Sequence, residues 1–441
     1  KIVAGFSWTV LTFVVSLFVR FLTSIVLTRL LAPEILGIAV IVNTIRLGVE
    51  LLSDTGAQQF VIQSKDGDDP DFLNTVWTIQ LIRGVALAGL LVLLSGPLAE
   101  TYSIEPLYIW FGGLVSLIYG FQSVAFEVLK RKMQVAKVTV LELVAEVAGG
   151  AIAIGTVYLY PTAEAVLFAA AAAAAFKVVL SHAIATDRSR IRFRTDYAWS
   201  TFHFGKWIFM SSIFMFLCVN FDRLYLGSVA PLALFGIYGI ARSLADLPNA
   251  MAQRVGYVVV YPLIASSAGQ TRPAVRAHVS PLRRRLLIAA ALAFAIGVSI
   301  SDRFVMFVYD HRYVDAAWML PILLLGVWPS VLTSTGESTL LGLGKPVYAG
   351  LSNGLKLAYL VVAVPFMFSR YGMLGAVVAM AFSDLVRYLP LLAGQVRERL
   401  SFIRQDAVAT VIFLGALALL TIARQHFGFG TPFDAIPFPP G

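Results

Sequence analysis

Charge is scarce in this chain of 441 residues: 13% are charged and 59% are hydrophobic. An average soluble domain carries roughly 25% charged residues. A soluble globule of this size could not hide so much apolar surface behind a polar exterior, so lipid is the expected solvent for most of the chain. The single cysteine, Cys218, lies in an apolar run without an intrachain partner, which excludes a disulfide framework. His182, His203, His278, His311 and His426 are scattered without metal-ligand spacing, so no metal site is expected. Nucleotide hydrolysis lacks its motif as well. Gly342-Leu343-Gly344-Lys345-Pro346 has neither the glycine spacing of a phosphate-binding loop nor a Ser or Thr after the lysine.

Long apolar runs fill the chain. A bilayer-spanning helix needs about 20 such residues, and thirteen runs qualify: 4–27, 35–59, 76–98, 105–129, 135–158, 162–185, 205–226, 231–252, 284–308, 316–341, 345–368, 372–394 and 405–425. The first is too long for a signal-peptide core and reads as a retained helix. No connection exceeds about thirty residues, so no separate soluble domain is expected. The chain opens on Lys1 rather than Met and closes around Pro437, Pro439 and Pro440; trimmed ends are expected at both.

The net charge of +9 is explained better by orientation than by a nucleic-acid partner, and none is expected. One alternate set of connections holds twenty Lys and Arg residues, among them Lys130–Lys132, Arg188–Arg194 and Arg283–Arg285, and the other set holds six. Basic loops stay inside, which predicts a cytoplasmic N-terminus. Arg188, Arg190, Arg192 and Arg194 precede Tyr197, Trp199, Phe202, Phe204 and Trp207. This pattern fits a connection held at lipid headgroups beside an aromatic belt, with a specific headgroup or partner site as the alternative.

The two halves echo each other. Trp8 and Trp207 each open a span, 199 residues apart. Ala32-Pro33 with Gly37 returns as Ala230-Pro231 with Gly236, and Gly37 and Gly236 are again 199 apart. Arg46 with Glu50 is matched by Arg242 with Asp246. Six spans separate matched points, an even number, so the repeats are expected to be parallel; shared helix-start chemistry is the alternative explanation. The predicted fold is an all-α polytopic membrane protein of about 12 core transmembrane helices in two pseudo-symmetric six-helix lobes, plus one extra C-terminal helix. Residues 1–186 form the expected first lobe, 187–204 the linker, 205–396 the second lobe, and 397–441 the extra helix and tail.

Five stretches, Thr28–Gly37, Leu52–Ala57 with Val61–Gln63, Phe72–Gly84, Phe307–Asp310 and Leu341–Pro346, carry a likeness to known sequences. They resemble the polysaccharide transporter family, the Wzx-type flippases of the multidrug/oligosaccharidyl-lipid/polysaccharide exporter superfamily. The resemblance covers roughly residues 1–400 and is densest over 20–130. It implies an oligosaccharide repeat unit on a polyprenyl diphosphate, flipped from the cytoplasmic to the periplasmic leaflet of a bacterial inner membrane for lipopolysaccharide or exopolysaccharide synthesis. Polymerase and chain-length machinery are then candidate partners, beside membrane lipids. No cofactor is expected, and a proton or sodium gradient is the candidate energy source.

A charged residue at the centre of a span costs about 2.5–3.5 kcal/mol on insertion scales, so those present need a wet cavity or a partner. Arg46 and Glu50 share one helix face, as do Arg242 and Asp246, and Glu142 and Glu146. A diphosphate needs fixed cations on its route, and Arg matches phosphate oxygens bidentately. Arg20, Arg46, Glu50, Arg83, Arg242 and Asp246 are the candidate substrate-binding residues. The lipid II flippases, which the chain resembles by helix and residue type, use cavity arginines, which favours Arg20, Arg46 and Arg242. Internal salt bridges are the competing role for all three, and snorkelling for Arg83, Lys177 and Arg387 near span ends. Asp54, Glu142, Glu146 and Lys356 are candidates for ion coupling, with structural pairing as the alternative. A drug/cation antiporter would need a more acidic cavity. A membrane polymerase or ligase would need a sizeable extracytoplasmic segment. A transporter rather than an enzyme is therefore expected.

Overall fold

The computed structural model describes residues 2–53, 56–185, 189–267 and 269–437; Asp54 and Arg188 lie outside them. All regular structure among the described residues is helical. In order the helices are α1 (Ile2–Leu30), α2 (Pro33–Leu51), α3 (Ala57–Gln63), α4 (Pro70–Leu93), α5 (Ser95–Tyr102), α6 (Pro106–Gly120), α7 (Ala125–Arg131) and α8 (Val135–Leu159). They continue as α9 (Ala163–Ala183), α10 (Thr195–Val229), α11 (Leu232–Val255), α12 (Tyr261–Ala265), α13 (Arg272–Val308), α14 (Ala316–Gly342), α15 (Val347–Arg397) and α16 (Ile403–His426).

Each of the thirteen predicted spans falls on one or two of these helices. The protein is a polytopic all-α membrane protein. By length and apolar composition alone, eight described helices can cross a bilayer, or nine if the bent pair α6–α7 is one span. The longer count from sequence adds α1, α11 and α2, the last of which misses that test because Glu34, Arg46 and Glu50 all lie in it. It also divides α15, where Gly372 leaves helical geometry at φ 57° and ψ −144°. Only glycine adopts that conformation cheaply, so the two spans predicted at 345–368 and 372–394 meet at this break. Where 35–59 reads as one span, the structure has two helices, α2 ending at Leu51 and α3 starting at Ala57 after Gly56 at φ 62°.

Two compact units emerge: residues 1–216 with 226–236, and residues 217–225 with 237–441. In the first, α4 and α6 cross at Gly84 and Gly120, where a Cβ on Gly84 would lie 2.7 Å from the Gly120 Cα. Small residues of this kind let helix backbones approach closely in lipid. In the second, α14 is almost wholly buried between α13 and α15.

The halves' repeated glycines touch within the first unit. A Cβ on Gly37 would strike the Leu232 carbonyl oxygen, and one on Gly236 would strike that of Pro33. Leu232 stands to Pro33 as Gly236 stands to Gly37, each 199 positions on. The contact is therefore reciprocal under the repeat, and both glycines are required by the close approach of the starts of α2 and α11.

The basic connection runs along α4. The Arg190 N–H donates to Asn74 Oδ1 at 2.8 Å and the Arg192 N–H to Thr78 Oγ1 at 3.0 Å. Two residues of extended chain thus span one helical turn. Arg192 pairs with Asp71 at 2.5 Å, Arg194 with Asp196 at 2.7 Å, and the Tyr197 hydroxyl donates to Asp69 at 2.7 Å. Protein carboxylates therefore hold two of the arginines expected at lipid headgroups, while Ile191 and Trp199 are exposed. The Tyr197 hydrogen bond and the Asp71 backbone hold the Asp69 carboxyl below its ordinary range. The same hydrogen bond pushes the Tyr197 phenol up to about 12.

Two expectations follow. Gly236→Ala should cost about 1–3 kcal/mol through overpacking and so lower the unfolding temperature in detergent. Gly297→Ala, whose Cβ meets nothing within 4 Å, should not; equal behaviour of the two variants would contradict the close contact. For Tyr197 the folded value is raised, so its contribution is complete below the ordinary 10 and vanishes as pH climbs to about 12. An ultraviolet tyrosinate titration, wild type minus Tyr197→Phe, should show a midpoint near 12, and a midpoint at the ordinary value would show that the bond does not form.

Candidate functional site

A cavity of about 520 Å³ opens inside the first unit, walled by α2, α4, α6, α7, α8 and α9. Its shape depends on the break in the α6–α7 span, which bends by 53°. A broken helix in lipid must satisfy the carbonyls it frees. Gln80 Nε2 donates to the Tyr119 and Gln122 carbonyls at 3.0 and 3.2 Å. The Phe121 carbonyl accepts from Trp77 Nε1 at 3.3 Å and meets His182 Nε2 at 2.8 Å. Polar side chains on α4 and α9 therefore stabilise the bend that hollows out the cavity.

Four cations line it, Arg46, Arg83, Lys130 and Lys177, against three acids, Glu50, Glu127 and Glu142. Arg46 donates to Glu50 at 2.6 Å, one turn along α2, and to Asn43 Oδ1 at 2.9 Å. Glu50 also accepts from Ser116 Oγ at 2.9 Å. Arg83 reaches Ser53 Oγ at 2.9 Å and the Glu50 backbone carbonyl. Lys130 stands 3.5 Å from Glu142. Arg46 and Lys177 approach the same Tyr119 ring, at 5.7 and 5.8 Å from its centre. The arrangement presents an excess of positive charge, a guanidinium fork and an aromatic face in one polar void. That combination suits phosphate oxygens and sugar rings.

Of the residues singled out from sequence, Arg46, Glu50, Arg83 and Glu142 meet in this cavity, together with Lys177. Arg83, expected to compete as a snorkelling side chain, lies in the cavity wall. Arg20 and Glu146 pair with each other, and Ser16 also donates to Glu146; neither residue lines the cavity.

Arg242 and Asp246 belong to a separate cluster in the second unit. Arg242 lies 2.7 Å from Asp246 and 3.3 Å from Asp222, and Arg223 reaches Asp246 at 3.0 Å. Asp222 is almost wholly buried and also accepts from the Tyr238 hydroxyl at 2.5 Å. Lys356 is paired with Asp384 at 3.0 Å, and Arg387 bridges Asp384 and Glu337. Counted over these pairs, four cations meet four acids. These paired charges of the second unit thus balance, whereas the charges lining the first unit's cavity do not. Asp54 lies outside the described residues.

Sequence reasoning missed Glu127, which lies inside the span predicted at 105–129, and left Lys130 among the loop cations beyond that span's end. It also missed Asp222 and Arg223, which both lie inside α10. The polar run Asn220-Phe221-Asp222-Arg223 in an apolar helix was the available signal. Arg283 needs the same correction. Counted as a loop cation, it is 1% exposed, eleven residues into α13, and bonded to Asp406 at 2.6 Å and Thr335 at 2.9 Å.

In overall fold the chain is similar to the lipid II flippase MurJ in an inward closed conformation. The TM-score is 0.73 at 11% identity, over 95% of this chain and 92% of that one. It is also similar to an inward-facing MATE family multidrug resistance transporter of the MOP superfamily, with TM-score 0.66 at 12% identity over 86% and 94% of the chains. The Vibrio cholerae MATE transporter VcmN, as a mutant, gives TM-score 0.52 at 14% identity over 89% and 94%. No curated protein matches the sequence. The model of one family, described as polysaccharide biosynthesis protein, matches residues 26–317. That is well over half of the chain and contains every cavity residue described above, and the chain belongs to this polysaccharide biosynthesis protein family.

Proposed function

We propose that this protein is a transporter that flips polyprenyl-diphosphate-linked oligosaccharides across a bacterial inner membrane, from the cytoplasmic to the periplasmic leaflet, to supply lipopolysaccharide or exopolysaccharide synthesis. The observation that carries this reading is the cavity of the first unit, where Arg46, Arg83, Lys130 and Lys177 outnumber the acids. A diphosphate carries at least two negative charges, and a membrane interior disfavours its passage unless fixed cations replace its water. The Tyr119 face and the Gln80, Gln122 and Ser116 side chains on the same wall add sites for sugar hydroxyls. Arg46 and Arg83 are the proposed headgroup contacts, with Glu50 orienting Arg46. Arg20, Arg242 and Asp246 are assigned a supporting role, because each is engaged in ion pairs outside this cavity.

Membership of a polysaccharide biosynthesis family and a fold shared with flippases and transporters favour transport over catalysis. A cationic-drug antiporter is disfavoured by the sign of the cavity's charge. Alternating access of two six-helix lobes, joined by the 187–204 linker, is the proposed motion, and an ion gradient its energy source.

The test is reconstitution in liposomes with a polyprenyl-diphosphate oligosaccharide. Hydrogen bonds to charged groups contribute about 1.5–3 kcal/mol each, so Arg46→Ala with Arg83→Ala should slow flipping by about tenfold or more. Flipping at the wild-type rate by a normally folded double variant would remove the proposed headgroup site.

A further inference from the structure

Glu127 stands apart from the other acids of the cavity. Arg46 neutralises Glu50 and Lys130 sits against Glu142. No Lys or Arg nitrogen among the described residues lies within ion-pair reach of the Glu127 carboxylate. Yet Glu127 is only 5% exposed and forms part of the cavity wall. An isolated carboxylate taken out of water is costly unless it is paired or protonated. The charges that act on it are Lys130 on its own helix, Glu142 on α8 and Lys177 on α9. The α2 pair Arg46 and Glu50, and Arg83 on α4, face it across the void. The neighbouring α3 contributes no titratable side chain.

Protonation of this one group changes the cavity's balance. With Glu127 ionised, four cations face three carboxylates, a net charge of +1. With Glu127 neutral they face two, a net charge of +2. An anionic headgroup entering the void repels a carboxylate there, and the carboxylate responds by binding a proton. The linkage is reciprocal: if the headgroup favours the proton, the proton favours the headgroup by the same factor.

We propose that Glu127 is the residue through which diphosphate binding takes up a proton, so that the site binds one proton from solvent together with each headgroup. This rests on the flippase reading and adds its proton-binding group. Protonation removes a negative charge that acts through space on Lys177 and Lys130 and so leaves more of their field for the phosphates. Glu127 itself needs no direct contact with the substrate.

The test uses the full-length protein in detergent with geranylgeranyl diphosphate as the probe. Affinity is measured by calorimetry from pH 5.5 to pH 8.5, in buffers of different ionisation enthalpy so that proton uptake is counted directly. Wild-type affinity should fall by up to about tenfold per pH unit where Glu127 titrates, beyond the ligand's own titration. The near-isosteric Glu127→Gln should lose that component and bind at high pH as tightly as wild type does at low pH. Infrared difference spectra give an independent reading in the wild type alone: a protonated carboxyl band should appear on adding the diphosphate. An unchanged pH profile in Glu127→Gln, or no such band, overturns the assignment of the proton to Glu127 and leaves the headgroup site standing. Absence of diphosphate binding by the wild type at every pH overturns both readings.

Discussion

Lipid offers no hydrogen bonds and almost no screening, so each freed carbonyl and each charge in this protein has to be answered from within the protein. The structure obeys that constraint nearly everywhere. The carbonyls released where α6 bends into α7 are met by Gln80, Trp77 and His182. Arg283, at 1% exposure, gives its guanidinium to Asp406 and Thr335, with its Nε left unpartnered. Asp302 takes a two-pronged bond from Arg424 at 2.8 and 2.7 Å. Lys356, Asp384, Arg387 and Glu337 form a chain of alternating sign. Buried ion pairs of this kind add little net stability but are costly to break from one side, which fits a role in holding helices in register.

Against that background the cavity of the first unit is the exception. Its cations exceed its acids, Lys177 leans on an aromatic ring, and the buried Glu127 has no Lys or Arg nitrogen within ion-pair distance among the described residues. A site assembled only for packing would be expected to close its charges in pairs, as the second unit does. An unbalanced set in a polar void is what an anionic ligand completes. The two repeats thus share a helix-start geometry and an Arg–acid pair one turn apart, but they differ in net charge. The proposed division of labour follows from that difference.

Much of this was legible in the sequence because it follows from local rules. The span positions came from apolar run length, the Arg46–Glu50 and Arg242–Asp246 pairs from four-residue spacing, and the correspondence of Gly37 with Gly236, though not their contact, from the repeat. What escaped depends on three-dimensional closure. Arg283 looks like a loop cation until Asp406, more than a hundred residues away, is packed beside it. Glu127 and Lys130 look like a span end until α6 and α7 bend and turn them inward. Arg83 joins Arg46 in one cavity wall through the Glu50 backbone carbonyl and Ser53, both on the other side of the α2–α4 contact, and helix-to-helix contacts of this kind are not written in composition.

The central claim is that the first unit's cavity receives the phosphates of an anionic lipid carrier. It is tested most directly by determining the structure with a bound polyprenyl-diphosphate oligosaccharide. Phosphate density within hydrogen-bonding distance of Arg46 and Arg83, beside Tyr119, is the predicted result. Phosphates seated away from that void, with Arg46 still closed on Glu50 and the cavity filled only by water, would contradict the account.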